Sequence, residues 1–361
     1  MTNETITKAQ GVCILTMFIS GVFVVMNITP EAEQDTWVSL LLAAVGFIPL
    51  ILIYSRIVRL YPEKDIFQII GMLFGKVTAK ALIALMFWYC AHLLALVMRN
   101  LSEFVKIVSL LETPYLPIMI ITLLVIAYIA KCGVECLGKW CVATFVILAL
   151  FVLATVLLSI NKMDISNIQP VLSHDAGTIA STSFDQLTFP FAETVLFLGV
   201  ASAVKKTDGV RGMYFLGTTL GALLLLTVLV RNIALLGVPM SKASYFPSYS
   251  AIRVISIGEV FTRVEGLIST NFILTAFTKA ALCLLVAANG ASSLFGVNDY
   301  KKLVMPVGLF SLALSATVYN DVMEMFEFFK IYTYYALPFE VIIPLIVWIK
   351  AEVRARKSKS A

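Results

Sequence analysis

The sequence predicts an all-α polytopic membrane protein of about ten transmembrane helices, arranged as a five-plus-five inverted repeat with broken first and sixth helices. Three observations predict it. Mean hydropathy is +0.94, with 60% hydrophobic and only 14% charged residues, whereas soluble chains carry about 25% charged residues, so the chain cannot cover itself with polar surface in water. Apolar runs of roughly 18 to 25 residues recur along the whole length, each sufficient to cross the ~30 Å hydrocarbon layer as a helix. They are continuous rather than alternating, which selects helices over a barrel. Finally, two of the runs, at matching places in the two halves, contain residues that interrupt a helix.

In chain order the expected spans are Gly11–Ile28, Trp37–Tyr54, Ala79–Leu101, Leu116–Ala130, Trp140–Ile160, Phe184–Val204, Met213–Leu236, Leu267–Leu294, Leu303–Val318 and Tyr332–Ile349. In alternate connections Lys8, Arg56, Arg59, Lys64, Lys76, Lys131, Lys139, Lys205, Lys206, Arg211, Lys301 and Lys302 fall on one side with the tail residues Arg354, Arg356, Lys357 and Lys359. The excess of basic residues marks that side as cytoplasmic. The other side receives the acidic stretch Glu31–Asp35, the segments Asn161–Asp185 and Gly237–Arg263, and the acidic stretch Asp321–Glu327. Both termini are then expected in the cytoplasm, which requires an even number of spans. Within the connections, Pro247 precedes a short helix expected over Ser248–Ile257, Asp164–Leu172 reads as an extended loop, and Asp65–Lys76 is amphipathic and expected in or near the interface.

No linker or composition shift divides the chain. One integral membrane domain over residues 1–361 is expected, with repeats at about 9–160 and 184–350 and a basic cytoplasmic tail at 351–361. The N-terminal stretch has an acidic residue before its one lysine and no small-residue cleavage site, so a cleaved signal peptide is not expected. Cys132, Cys136 and Cys141 form the closest cysteine set but lack metal-type pairing and nearby histidines; the six cysteines read as small apolar residues. No metal or cofactor is called for. The net charge of +5 belongs to membrane-flanking residues rather than to a nucleic-acid surface.

The interruptions locate a candidate site. In the first span, Ser20-Gly21 follow Ile19; in the sixth, Phe189-Pro190-Phe191-Ala192-Glu193 contain a proline that removes a backbone donor and clashes with the preceding turn. Unwound backbone at mid-membrane frees N–H and C=O groups for a ligand, so Ser20, Gly21 and Val22 are candidates on one side and Phe189, Pro190, Phe191, Ala192 and Glu193 on the other. Proline kinks and small residues also serve helix packing alone.

Charges inside spans are the second signal, because each costs several kcal/mol unless paired or hydrated. Glu193 follows the sixth-span break. Arg99 and Glu103 lie an i,i+4 step apart at the external end of the third span and read as a structural pair. Lys279 lies about 22 Å along the eighth span, in its cytoplasmic half. Asn271, Thr275 and Lys279 share a polar face that points either inward, toward a carboxylate or the carbonyls of the first break, or lets the lysine reach the headgroups. A fixed ammonium there would stand where coupled transporters of such folds hold sodium, implying sodium independence. His92, the lone membrane histidine, reads as a packing residue.

In several places the chain resembles the B subunits of GerA-type spore germinant receptors, within the amino acid–polyamine–organocation transporter superfamily. The resemblance rests on Ile6-Thr7-Lys8-Ala9-Gln10, Asp35-Thr36-Trp37, Arg99 with Glu103-Phe104, Thr113-Pro114, Gly133-Val134-Glu135, Asn167-Ile168-Gln169-Pro170-Val171-Leu172 and Phe189 through Phe197. It spans almost the whole chain, with order and spacing as its specificity. Relatives carry Gly-x-Gly in the first break, where this chain has Ser20-Gly21 alone. The resemblance implies an amino-acid-permease-like fold, residence in the spore inner membrane, assembly with an A subunit and a lipoprotein C subunit, and sensing of a small germinant such as an amino acid.

Two functions compete: a germinant sensor, and a proton-coupled amino-acid transporter using the same pocket, with Glu193 or Lys279 exchanging protons. An enzyme is not expected, since no histidine pair at metal spacing and no Ser/His/Asp set converges in the spans.

Overall fold

The computed structural model describes residues 4–26, 30–204, 209–254 and 264–360. The expected end of the first span at Ile28, the basic residues Lys205 and Lys206, and the stretch reaching Ile257 and Arg263 lie outside the described residues.

Every expected span falls on a helical pass. The first is α1 (Lys8–Ser20), opened by a capping box in which the Gln10 N–H donates to Thr7 Oγ1 (3.3 Å) and the Thr7 N–H to Gln10 Oε1 (2.8 Å). The second comprises α2 (Thr36–Gly46) and α3 (Ile48–Leu60), joined where Pro49 opens the latter. The short α4 (Ile66–Leu73) precedes the third pass, α5 (Lys76–Val108), the fourth, α6 (Tyr115–Cys132), and the fifth, α7 (Val134–Ser159). The sixth begins with α8 (Ala176–Gln186), loosens into a wide turn at Leu187–Phe191, and continues as a 3₁₀ helix over Ala192–Ala203. Then come α9 (Val210–Ala243), the short α10 (Pro247–Arg253), α11 (Glu265–Phe295) and α12 (Val304–Thr317). The last pass is α13 (Val322–Leu337), a second wide turn at Pro338–Ile342, and α14 (Ile343–Ser360).

Some boundaries differ from expectation for identifiable reasons. Residues 176–185, assigned to an external segment, are helical: the Thr178 N–H donates to Asp175 Oδ2 at 3.0 Å, a cap that starts α8 where Ser and Thr keep hydropathy low. Asp321 caps α13 in the same way through the Glu324 N–H (3.0 Å), so the acidic stretch Asp321–Glu327 belongs to the last pass, and the basic tail continues α14. Ile165–Ile168 form a 3₁₀ turn rather than an extended loop. α5 runs through Val108, placing Arg99 and Glu103 inside the pass and fully buried.

The connections gather at two ends. At one, the Ile6 N–H donates to Ala203 O (2.9 Å), the Val134 N–H to Glu4 Oε2 (3.0 Å), and Arg56 pairs with Glu352 (2.5 Å). At the other, Asp35 accepts from the N–H groups of Leu172 (2.7 Å), Ser173 (2.9 Å) and His174 (3.1 Å), and Lys242 pairs with Glu33 (2.5 Å). The first end is the basic one.

Burial separates the passes into a centre and a rim. The most apolar stretch of Ala176–Ala203 is 89% buried and that of Glu265–Phe295 is 83% buried, against 28% for Val134–Lys162, so the sixth and eighth passes are central and the fifth is peripheral. Leu150, Leu153 and Leu157 on the fifth pass, like Ile121 and Leu124 on the fourth, face outward, as lipid contact demands. α1 packs tightly on α9, where a Cβ at Gly217 would stand 2.7 Å from Leu15 and one at Gly221 2.8 Å from Ile19; small residues permit this approach.

Candidate ligand site

The first break is set by Gly21. Its N–H closes the last turn of α1 on Met17 O (3.0 Å), but its φ of +25° and ψ of −130° leave the helix in a region that L residues rarely adopt. An added Cβ would also lie 2.8 Å from Phe18 O and 2.9 Å from Lys279 Cδ. Beyond it, Val22–Val24 form one 3₁₀ turn. The freed carbonyls find donors on other passes: Thr275 Oγ1 donates to Gly21 O (2.9 Å) and Ser248 Oγ to Val24 O (2.8 Å). Ser20 Oγ donates back to Thr16 O (2.9 Å).

The second break is intrinsic. Phe189 is extended (φ −116°, ψ 112°) before Pro190, and the twelve residues that follow are wound as a 3₁₀ helix, far longer than the three or four residues such geometry ordinarily sustains. Glu193 stands in its first turn, fully buried.

Lys279 joins the breaks. Its Nζ donates to Glu193 Oε2 and lies 4.6 Å from the Phe189 ring centroid and 5.0 Å from that of Phe18. Both side chains are wholly inaccessible, so the lysine turns inward and the polar face Asn271–Thr275–Lys279 lies against the first break. Tyr332 Oη donates to Glu193 Oε1, and lies 3.2 Å from Tyr89 Oη, which is 2.6 Å from Glu340 Oε1. Tyr54 Oη donates to Glu340 O (2.6 Å) and reaches Ala192 O (3.4 Å), tying the two wide turns together.

Elsewhere on α5 and α11 are buried polar atoms without partners among the described residues: both carboxamide atoms of Asn271, Oδ1 of Asn100 and Oε2 of Glu103. Asn271 is one turn from Thr275, and Phe272 beside it packs edge-on to Phe104 at 4.8 Å, one turn from Asn100. Buried amides are ordinarily satisfied, so the wholly unpartnered Asn271 carboxamide is a candidate contact for a small polar ligand. Arg99 and Glu103 pair at 2.7 Å, and the arginine also donates to Asn320 O (3.3 Å) and lies 4.3 Å from the Tyr115 ring. They stand apart from the Lys279 network. His92 stacks on Trp88 (5.6 Å) and meets Tyr335 edge-on (5.1 Å).

A polar cavity of about 840 Å³ opens at the basic end, between the 3₁₀ half of the sixth pass (Val200, Ala203) and α11 (Leu285, Asn289), with Asp65 and Lys301 at its rim. Burial pushes the Asp65 carboxyl up to about 6.

Sequence reasoning found Glu193 and Lys279 but did not pair them, and it missed Tyr54, Tyr89, Tyr332, Glu340, Asn100 and the cavity. Glu340 had a signal. Pro338-Phe339-Glu340 sets an acid behind a proline inside an apolar span, as Pro190 and Glu193 do. The tyrosines gave none, since aromatic residues are ordinary in spans.

The model of the spore permease family, described as spore germination proteins, matches residues 5–322. The chain belongs to the spore germination protein family. Among curated relatives it is 25% identical to spore germination protein KB of Bacillus subtilis (strain 168) over 99% of this chain and 98% of that one, and 23% identical to spore germination protein A2 of the same organism over 96% of each. Among solved structures it is similar to MhsT in complex with L-phenylalanine (12% identity, TM-score 0.63, 95% of this chain and 88% of that one). It is also similar to Mhp1, a nucleobase-cation-symport-1 family transporter with bromovinylhydantoin bound (13%, TM-score 0.65, 96% and 78%). At these identities the likeness concerns the fold. The chain is thus an integral membrane protein of the spore germination protein family, with a fold similar to that of these solved structures.

Proposed function

We propose that this chain is the germinant-binding membrane subunit of a spore germination receptor, taking a small amino acid at mid-membrane between its two broken helices. The observation that carries this reading is the convergence of both breaks on the Lys279–Glu193 pair, with the unpartnered carboxamide of Asn271 about two turns away along α11. An amino acid offers a carboxylate that can replace that of Glu193 on the Lys279 ammonium, and the donors and acceptors that Asn271 lacks. Ser20, Gly21 and Val22 shape one wall; Phe189, Pro190, Phe191, Ala192 and Glu193 shape the other. Thr275 holds the first wall, and Arg99 with Glu103 forms a structural pair at the acidic end.

The family supports a receptor setting, with A and C subunits as partners, lipid around the rim, the spore inner membrane as location and the basic end with both termini in the spore core. The single domain would comprise the repeats near 9–160 and 184–350 with the helical basic tail. A ligand shifts such a receptor only by its differential affinity for two states. Transport through the same pocket is the second reading, favoured by the cavity of about 840 Å³ that meets the 3₁₀ half of the sixth pass.

Transplanting this subunit into a receptor of different specificity tests the sensor reading: the germinant preference is expected to move with it. An unchanged preference, or spores carrying Gly21→Trp that respond to every germinant at unchanged concentrations, would sink the site. Proteoliposomes bearing the chain alone separate the readings, because labelled amino acids should bind without accumulating if it senses, and accumulate if it transports.

A further inference from the structure

Among the described residues the buried network contains two carboxylates, Glu193 and Glu340, but a single ammonium, Lys279, facing them. The remaining titratable groups turned toward it are Tyr54 from α3, Tyr89 and Cys90 from α5, Cys283 from α11 and Tyr332 from α13. All are neutral in their ordinary forms at neutral pH. With both glutamates ionised the network would hold an uncompensated negative charge inside a membrane protein, which is strongly unfavourable. One proton restores neutrality, and the contacts indicate where it resides. Glu193 is bonded to the ammonium, whereas Glu340 contacts only neutral hydroxyls and has a second oxygen, Oε2, without a partner.

We infer that Glu340, Tyr89, Tyr332 and Glu193 form a proton-transfer chain between the wide turns of the tenth and sixth passes, with the proton resting on Glu340. At rest the Glu340 carboxyl donates to Tyr89 Oη, Tyr89 to Tyr332 Oη, and Tyr332 to Glu193 Oε1, while Lys279 holds Glu193 Oε2. In the shifted state the Glu340 hydrogen has passed to Tyr89, that of Tyr89 to Tyr332, and that of Tyr332 to Glu193. Each O–H bond broken is matched by one formed. The net charge is unchanged, but the carboxylate now sits on Glu340, and Lys279 has lost its anionic partner. The shift is unfavourable in the empty protein because it strands the ammonium.

A ligand carboxylate on Lys279 removes that penalty, a step that rests on the amino-acid reading above. Charge then arrives at Glu340 in the Pro338–Ile342 turn, whose backbone Tyr54 ties to Ala192, and α14 beyond it meets α3 through Arg56 and Glu352 at the basic end. Ligand occupancy at the breaks is thereby converted into a charge change at the hinge of the last pass.

Infrared difference spectroscopy of the full chain in lipid nanodiscs tests this. At neutral pH the resting protein should show a buried protonated-carboxyl C=O band that Glu340→Gln removes; if that variant does not insert, Glu340→Asp should move the band instead. A resting protein whose carboxyl bands ignore both substitutions overturns the inference. Among the common L-amino acids applied singly, the one that binds should shift the band as the proton passes to Glu193, and Tyr89→Phe should retain the resting band but abolish the shift. An unchanged shift in Tyr89→Phe overturns the chain. A band that responds to Glu340→Gln but to none of the amino acids overturns the ligand reading and its trigger, while establishing the resting proton on Glu340.

Discussion

In the first pass the helix stops at a glycine and its loose carbonyls are held from outside, by Thr275 on α11 and Ser248 on α10. In the sixth, the interruption is written into the segment itself: Pro190 forces Phe189 out of the helix, and the chain then continues as 3₁₀. The first break carries no charge and borrows Lys279, whereas the sixth brings Glu193 with it. One break therefore depends on its neighbours for shape and the other supplies its own. The Lys279–Glu193 contact brings two local irregularities together into one candidate site.

Cutting that contact should have the largest effect. Lys279→Met leaves Glu193 buried without its cation, which costs about 3–5 kcal/mol where a buried pair is broken one-sidedly. Thermal unfolding in nanodiscs should show a large fall in Tm for Lys279→Met, and substantial recovery when Glu193→Gln is added, since the double variant has no stranded charge. Additive losses in the double variant would mean that the two groups act independently, and the breaks would have to be regarded as separate features.

Backbone substitutions at the breaks should differ in a way that sharpens the contrast. Gly21→Ala places a Cβ 2.8 Å from Phe18 O at a φ of +25°, so strain of about 1–3 kcal/mol is expected, with germinant sensitivity lost alongside stability. Pro190→Ala should cost about 1 kcal/mol or less, because Tyr54, Tyr332 and Lys279 still hold the turn. Equal losses in Tm would show that both breaks are held in the same manner.

The fold class was legible because continuous apolar runs admit few structures in lipid, and the breaks were legible because Gly21 and Pro190 act through their own backbones. Contact partners were not. Which carboxylate meets Lys279 depends on the rotation of the sixth and eighth passes about their axes, and continuously apolar segments do not encode rotation. α8 was missed because Ser and Thr lower hydropathy while Asp175 quietly caps a helix. The residues that carried the family resemblance mostly have structural work instead of ligand contacts: Asp35 binds the backbone of Leu172, and Asn167 Nδ2 donates to Ala234 O (3.2 Å), both at the acidic end. Only the Phe189–Glu193 stretch belongs both to the resemblance and to the candidate site.

A last pair of substitutions, with effects as small as that of Pro190→Ala, probes the borrowed support of the first break. Thr275→Val keeps shape but removes the hydroxyl that donates to Gly21 O, and Ser248→Ala removes the donor to Val24 O; each should cost about 1 kcal/mol. The informative readout is ligand response rather than Tm. Because Thr275 lies between Asn271 and Lys279 on one helical stripe, its loss should loosen Gly21 against the lysine and raise the amino-acid concentration needed for half response. Ser248, held farther out by Asn232 Nδ2 at 2.9 Å, should leave that concentration nearly unchanged. A larger shift from Ser248→Ala than from Thr275→Val would relocate the ligand toward Val24 and away from the point where the two breaks meet.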